Sequence, residues 1–291
     1  MATPETLRIE VGDTELGVVR WHGVPGAPVV FAIHGITANA WSWAAVARHL
    51  DGDVGVVAID LRGRGASSNT PEPYGMRQHA DDVAVVIERF SAAPAVLVGH
   101  SMGTYVSLCC AERHPADTGR LVLVDGGVAL PLPAGLSTQE ALDATIGPAI
   151  ARLRRVWSDR VAYRSMWSEH PAFAGGLTPE IERYVLSDLV PCEGGFRSSV
   201  NEDAVRFDGE ELLTDADVRA LLDRRSEPVI VVRAETGLMA TPPPLLPPEL
   251  MERYPQHDWR TVPGSNHYDV LIGEDGAAAI ARAIRDATQC D

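Results

Sequence analysis

Ala95-Val96-Leu97-Val98-Gly99-His100-Ser101-Met102-Gly103, followed by a helix-like stretch over residues 104–113, is the segment on which the fold of this chain turns. Four apolar residues predict a buried strand, and the Gly-x-Ser-x-Gly pattern at its end passes at once into a helix. A serine on so tight a turn needs neighbours without side chains, which Gly99 and Gly103 supply. The turn pushes the Ser101 hydroxyl out at the top of a sheet. It also sets the serine backbone at a helix N-terminus, where free N–H groups hold a developing negative charge. The five-residue pattern is short enough to occur by chance. The strand before it and the helix after it give Ser101 the setting of a nucleophile.

Outward from this turn, short apolar runs alternate with helical patterns, the signature of a mostly parallel sheet with helices on both faces. Residues 7–11 and 15–21 predict an opening hairpin around Gly12-Asp13. Residues 29–33, 56–60, 95–98 and 121–124 predict buried strands, and residues 41–50 and 76–90 predict helices. Val83, Val86, Ile87 and Phe90 stand at helical spacing in the second of these. From about residue 130 to 225 the rhythm breaks into helix-like stretches rich in Arg and Ala. Trp157, Tyr163, Trp167, Phe173, Tyr184 and Phe196 concentrate there. Strands resume at 229–232 and 259–262, with a Pro-rich loop at 241–248 and a last helix over 275–287. The expected organisation is an α/β core of residues 1–130 and 226–291 with a helical cap of residues 131–225.

A length of 291 residues suits one α/β domain with an insertion, and 45% hydrophobic against 22% charged residues suits a soluble chain with a full core. The net charge of −15 argues against a nucleic-acid partner and against an anionic membrane surface. It favours neutral or weakly charged substrates. No run of 18 apolar residues predicts a transmembrane helix, and residues 1–6 have neither the basic nor the apolar region of a signal peptide. Cys109, Cys110, Cys192 and Cys290 show no metal-ligand spacing and no disulfide framework. No metal is expected, and a reducing, cytoplasmic setting fits best.

A serine hydroxyl is a weak nucleophile at neutral pH and needs a base, an orienter for that base and donors for the oxyanion. His267, after the last strand and before the last helix, falls on a loop at the same sheet edge as Ser101, which makes it the expected base. His257 precedes that strand, so it belongs to the opposite edge. The expected oxyanion donors are the backbone N–H of Met102 and that of Ile36. Ile36 lies in His34-Gly35-Ile36-Thr37, where Gly35 lets the backbone approach a substrate. The His34 side chain is expected to be structural.

Five segments together resemble the α/β-hydrolase superfamily: His34-Gly35, Asp60-Leu61-Arg62-Gly63-Arg64-Gly65-Ala66-Ser67, Gly99-His100-Ser101-Met102-Gly103, Leu123-Val124-Asp125 and Gly264-Ser265-Asn266-His267. They follow the family's order from one end of the chain to the other. The resemblance implies an eight-stranded sheet with its second strand antiparallel, and a cap inserted after the sixth strand. It implies that the Asp60–Ser67 segment is a structural turn near the site, without a catalytic role.

The chain departs from the family in one place. The usual acid follows the seventh strand as Gly-x-x-Asp, but here the chain reads Arg233-Ala234-Glu235-Thr236-Gly237. Ala234 replaces the first glycine and Gly237 occupies the acid's position. An imidazole without its carboxylate loses about four orders of magnitude in rate. Some members, including haloalkane dehalogenases and fungal zearalenone lactonases, place the acid after the sixth strand, where this chain has Asp125. Glu235, two residues early but longer, is a second option, and no acid at all is a third. The gap at Gly237 tips the choice to Asp125.

A serine rather than an aspartate nucleophile disfavours epoxide hydrolysis and dehalogenation and favours acyl transfer, with no cofactor. The expected partner is a small, largely apolar carboxylic ester or lactone. Carbon–carbon bond hydrolysis of the aromatic-degradation type, cofactor-free perhydrolysis and a hydrolase-like small-ligand receptor are the rivals. Trp157, Tyr163, Trp167 and Phe173 either line an apolar pocket or pack the cap helices on each other. A monomer and a homodimer are both compatible with the sequence.

Overall fold

The computed structural model of the chain describes residues 3–90, 92–129, 135 and 137–289. Its strands in chain order are β1 (Glu5–Val11), β2 (Thr14–Trp21), β3 (Val29–Ile33), β4 (Gly55–Ile59), β5 (Ala95–His100), β6 (Thr118–Val124), β7 (Leu189–Cys192), β8 (Gly195–Ser198), β9 (Ile230–Ala234) and β10 (Asp258–Val262). Eight of them form one sheet in the order β1-β2-β4-β3-β5-β6-β9-β10. β2 runs antiparallel to both β1 and β4, and every other neighbouring pair is parallel. The sheet is therefore the eight-stranded, mostly parallel one expected, with its second strand antiparallel.

The central strands are near-continuous runs of Val, Ile, Leu and Ala because helices cover both of their faces. Alternate residues serve opposite faces. Val30, Ala32 and Val98 pack with α1 (Ala44–Leu50) and the last helix, while Phe31, Ile33 and Leu97 pack with α2 (Met76–Arg89) and α3 (Met102–Arg113). The chain moves from β3 to β4 on one side and to β5 on the other. A crevice thus opens beyond the C-terminal ends of β3 and β5, the position where open α/β sheets bind ligands.

Between β6 and β9 lie α4 (Thr138–Arg154), α5 (Arg160–Ser168), α6 (Pro179–Ser187), α7 (Glu202–Thr214), α8 (Ala216–Arg219) and α9 (Leu221–Arg224). The expected start of this insertion at residue 131 lies outside the described residues. The insertion is not helical throughout: β7 and β8 form an antiparallel hairpin, closed by Gly194 and Gly195 at φ 84° and 145°. A period-3.6 reading passes over so short a ribbon, because each strand has only four residues. Ile146, Ile150 and Leu153 of α4 and Val205 and Leu213 of α7 form a separate apolar cluster that also packs on Ile36. The insertion thereby sits over the loop after β3.

α10 (Glu249–Arg253), α11 (Asp269–Ile272) and α12 (Glu274–Gln289) complete the fold. The helix expected over residues 41–50 begins later, at Ala44. Ala40–Trp43 is a 3-10 turn, because the Asn39 side chain accepts from the Trp41 N–H and starts the tighter winding. Cys109 and Cys110 are buried on α3, and burial pushes their thiols up to about 12 and about 11, which makes them inert. Cys192 is free, and Cys290 lies outside the described residues. Among the described residues no helix is long and apolar enough to cross a membrane.

Candidate active site

Ser101 stands between β5 and α3 with φ at 54°, in the left-handed region that non-glycine residues rarely enter. Close packing around it over-determines the conformation. A side chain on Gly99 would run into the Gly103 backbone, and one on Gly103 into the Ile33 carbonyl. The Ser101 N–H donates to the Val124 carbonyl at 2.9 Å, which ties the turn to β6. A Cβ at Gly35 would lie 3.1 Å from Ser101 Cβ and 3.6 Å from Oγ, so the glycine keeps the approach to the hydroxyl clear.

Asp125 lies just beyond β6 and His267 beyond β10, and the two side chains meet: Asp125 Oδ2 is 2.7 Å from His267 Nδ1. The other carboxylate oxygen, Oδ1, accepts from the Ala234 N–H of β9 at 3.0 Å. Asp125 is fully buried. Burial alone would raise its carboxyl, but the hydrogen bond and charge of His267 outweigh it and hold the group below the usual carboxylate range. A carboxylate at Nδ1 fixes the tautomer with its proton there and leaves Nε2 free to accept.

Glu235 does not reach the imidazole. It accepts from the Gly264 N–H at 2.8 Å in an exposed position and so braces the loop before His267. Position 237 has no room for an acid: a Cβ there would run into the Pro243 carbonyl and lie 2.9 Å from the Thr241 carbonyl. His257 binds the backbone of Val229, at the opposite end of the sheet.

The N–H of Met102 opens α3 and that of Ile36 follows Gly35, and both residues line one cavity with Ser101 and His267. The first N–H groups of a helix have no partner within it. The loop carrying Ile36 is held from behind. Arg64 Nε donates to the Ile36 carbonyl at 2.9 Å, and Arg64 Nη1 pairs with Asp208 of α7 at 2.6 Å. His34 is structural, with Nδ1 donating to the Gly35 carbonyl at 2.7 Å and Nε2 accepting from the Leu61 N–H. Burial pushes its imidazole down to about 3. Asp60 accepts from the Ala40 and Ala66 N–H groups, the structural turn expected of that segment.

Sequence reasoning assigned no role to His100, Arg64 or Asp208. His100 Nε2 donates to the His267 carbonyl at 2.9 Å, and the two rings lie 4.7 Å apart. Burial, then the neighbouring His267, pushes His100 down to about 3, so it stays a neutral positioning group. The available signal was a histidine inside the elbow pattern itself. For Arg64 and Asp208, 144 residues apart in the chain, the sequence carries no pairing signal.

The cavity measures about 150 Å³. Ile146, Ala149, Leu212 and Leu213 of the insertion and Leu238, Leu245 and Leu271 of the core give it apolar walls, and among the described residues no Arg, Asp or Glu lines it. Trp157, Tyr163, Trp167 and Phe173 stay out of it. They pack edge to face on one another at 5.0 to 6.3 Å between ring centroids.

A family model described as alpha/beta hydrolase fold matches residues 28–274. A 2-(acetamidomethylene)succinate hydrolase of Mesorhizobium japonicum is 27% identical over 263 residues, which cover 90% of this chain and 88% of that one. An N-formylmaleamate deformylase of Pseudomonas putida is 32% identical over 146 residues, 46% of this chain and 54% of the other. The crystal structure of E-2-(acetamidomethylene)succinate hydrolase superposes with a TM-score of 0.81 at 24% identity, covering 97% of this chain and all of that one. At that identity the superposition shows a shared fold.

Proposed function

The chain belongs to the α/β-hydrolase family and is a hydrolase, and from that premise we propose that it is a serine hydrolase of small carboxylic esters or lactones. The observation that carries this reading is the 2.7 Å contact between Asp125 and His267 at an apolar cavity that Ser101 also lines. Ser101 Oγ attacks the carbonyl carbon while His267 Nε2 takes its proton. Asp125 holds the imidazole by Nδ1 and stabilises the imidazolium. The N–H groups of Ile36 and Met102 hold the oxyanion. Collapse expels the leaving alkoxide, which His267 protonates. A water that gives a proton to His267 then attacks the acyl-enzyme, and collapse releases the acid while His267 returns the proton to Ser101 Oγ. Residues 131–225 act as a cap over this core of residues 1–130 and 226–291, and the α4 and α7 side chains form the cap's share of the cavity wall.

Size and charge narrow the substrate. A cavity of about 150 Å³ is the size that holds a benzene-like ligand. The enclosed part of the substrate is therefore about six carbons or one ring. A carboxylate inside such a wall would need a cation, and among the described residues no Arg lines it. This separates the chain from a relative whose name specifies a succinate, and favours a neutral substrate.

The test is hydrolysis of p-nitrophenyl acetate, butanoate and hexanoate. Wild type should turn them over, and Ser101→Ala should lose about a million-fold in kcat while remaining folded by circular dichroism. Equal rates in the two proteins would sink the proposal.

A further inference from the structure

Besides Ser101, His267, His100 and Thr37, three hydroxyl-bearing residues from three separate elements line the cavity. Ser42 belongs to the 3-10 turn after β3, Tyr184 to α6 of the insertion, and Tyr268 directly follows His267; all three line the cavity. Ser42 is 2% exposed and its Oγ has no hydrogen-bond partner among the described residues. The recorded bonds of Tyr184 and Tyr268 use only their backbone atoms, so neither phenol is bonded to a described residue. The buried Ser42 hydroxyl would normally be paired, and a tyrosine packed by its ring still seeks a partner for its O–H. Burial pushes both phenols upward, and the nearness of Tyr268 adds to the effect on Tyr184, so both remain protonated donors.

The chemistry of these hydroxyls excludes an anion as their partner. Three neutral O–H groups lack the compensating charge that a buried carboxylate requires. Arg152, the buried guanidinium of α4, is engaged by Asp188 at 2.8 Å and by the Tyr163 hydroxyl at 2.7 Å. What the hydroxyls offer is donors to a neutral acceptor. We propose that Ser42, Tyr184 and Tyr268 form a hydroxyl subsite that takes an uncharged acceptor oxygen of the substrate, a ketone or ether oxygen beyond the scissile carbonyl. The natural substrate is thus an oxygen-bearing ester or lactone rather than a plain alkyl one. A water that occupies the subsite before binding is displaced by a group that reproduces its hydrogen bonds.

This inference rests on the ester-hydrolase reading, and two matched substrate pairs test it. p-Nitrophenyl 5-oxohexanoate against p-nitrophenyl hexanoate places the oxygen in the acyl part. 3-Oxobutyl hexanoate against butyl hexanoate places it in the leaving group. In one pair wild type should favour the oxo substrate in kcat/KM by several-fold to about tenfold, the range of a neutral hydrogen bond, with the gain in KM. Tyr184→Phe, Tyr268→Phe and Ser42→Ala should each bring that ratio towards one. The ratio within each variant cancels any loss of folded protein. No preference in either pair, or a preference that survives all three substitutions, overturns the subsite.

A binding arm separates this failure from failure of the hydrolase reading. In Ser101→Ala, cyclohexanone should raise the melting temperature more than cyclohexane does, and Tyr184→Phe should abolish the difference. That result supports the subsite even where no ester is turned over. Equal shifts from the two probes overturn it.

Discussion

Among the described residues two aspartate–histidine pairs are buried, and their surroundings differ. Asp125 meets His267 at 2.7 Å and Asp208 meets His79 at 3.0 Å, with both aspartates fully buried. The second pair is closed on every side. Arg64 adds a permanent positive charge at 2.6 Å, the Gly75 N–H donates at 2.8 Å, and the far nitrogen of His79 is buried without a partner among the described residues. Burial pushes the Asp208 carboxyl up, but His79 and Arg64 outweigh it and hold the group down at about 2. Among the described residues no guanidinium hydrogen-bonds Asp125, and His267 lines the cavity beside Ser101. The contrast teaches that a short Asp–His contact does not by itself mark a catalytic base. What lies beyond the imidazole and what balances the carboxylate separate the two: a fixed cation closes the Asp208 pair into a clamp, while the Asp125 pair is balanced by its own imidazole and opens on the cavity, as the proposed base requires.

Breaking the first pair should give the largest effect, and on rate. Asp125→Asn keeps the size of the side chain but loses the charge and the tautomer, and kcat on p-nitrophenyl butanoate should fall about 10⁴-fold with the fold intact. Glu235→Gln, on the exposed loop, should stay within about twofold of wild type. The reverse pattern would move the acid's role to Glu235.

Breaking the second pair should act on stability instead. Asp208→Asn leaves the Arg64 charge unpaired at a site with no solvent exposure, a change that costs about 3–5 kcal/mol, read as a shift in the urea midpoint. The folded fraction should keep its kcat within about tenfold, the scale of one lost positioning hydrogen bond, because Arg64 still reaches the Ile36 carbonyl. Destabilisation below ~1 kcal/mol would show that Arg64 does not depend on Asp208.

A third variant asks whether the acid can stand elsewhere. Gly237→Asp, added to Asp125→Asn, should restore no activity. It should also cost a further ~1–3 kcal/mol by overpacking, because a side chain at 237 meets the Thr241 and Pro243 carbonyls. Recovery of kcat in the double variant would mean that the loop after β9 can open.

The sheet and the elbow were legible because their signals are local. A parallel strand buried on both faces is a short apolar run, and a strand–turn–helix with two glycines is written in consecutive residues. The meeting of Asp125 with His267 was legible only indirectly, through the absence of a carboxylate at 237; the crowding at that position lies in the backbone of residues 241 and 243. The structural clamp was not legible. Arg64, His79 and Asp208 come from the turn after β4, from α2 and from α7, and nothing in their local sequence says that they meet. The same holds for Ser42, Tyr184 and Tyr268. Trp157, Tyr163, Trp167 and Phe173 stand in an apolar pattern equally suited to lining a pocket and to packing on each other, and the path of the chain between helices settles it for packing.

The smallest expected effect separates the clamp's charge from its shape, and it is read through pH. The Asp208 carboxyl sits at about 2 in the folded chain against an ordinary value of 3.8. A depressed carboxyl stabilises the fold fully above its ordinary value, and that contribution is lost as pH falls through the folded value. Wild type on its own is a poor reporter, because other groups titrate in the same range. His34 and His100 are held down at about 3, so the unfolded chain takes up protons below 6.5 that the fold refuses, and stability drops. Asp60, raised to about 6 by burial, acts in the opposite sense. All three are shared by wild type and Asp208→Asn, so they cancel in the difference between the two stabilities. Below the ordinary carboxylate value that difference should shrink, between about pH 4 and 2, because wild type then loses the charge that the variant already lacks. A difference that stays constant down to pH 3 would mean that the side chain's shape and hydrogen bonds, rather than its charge, hold Arg64 in place.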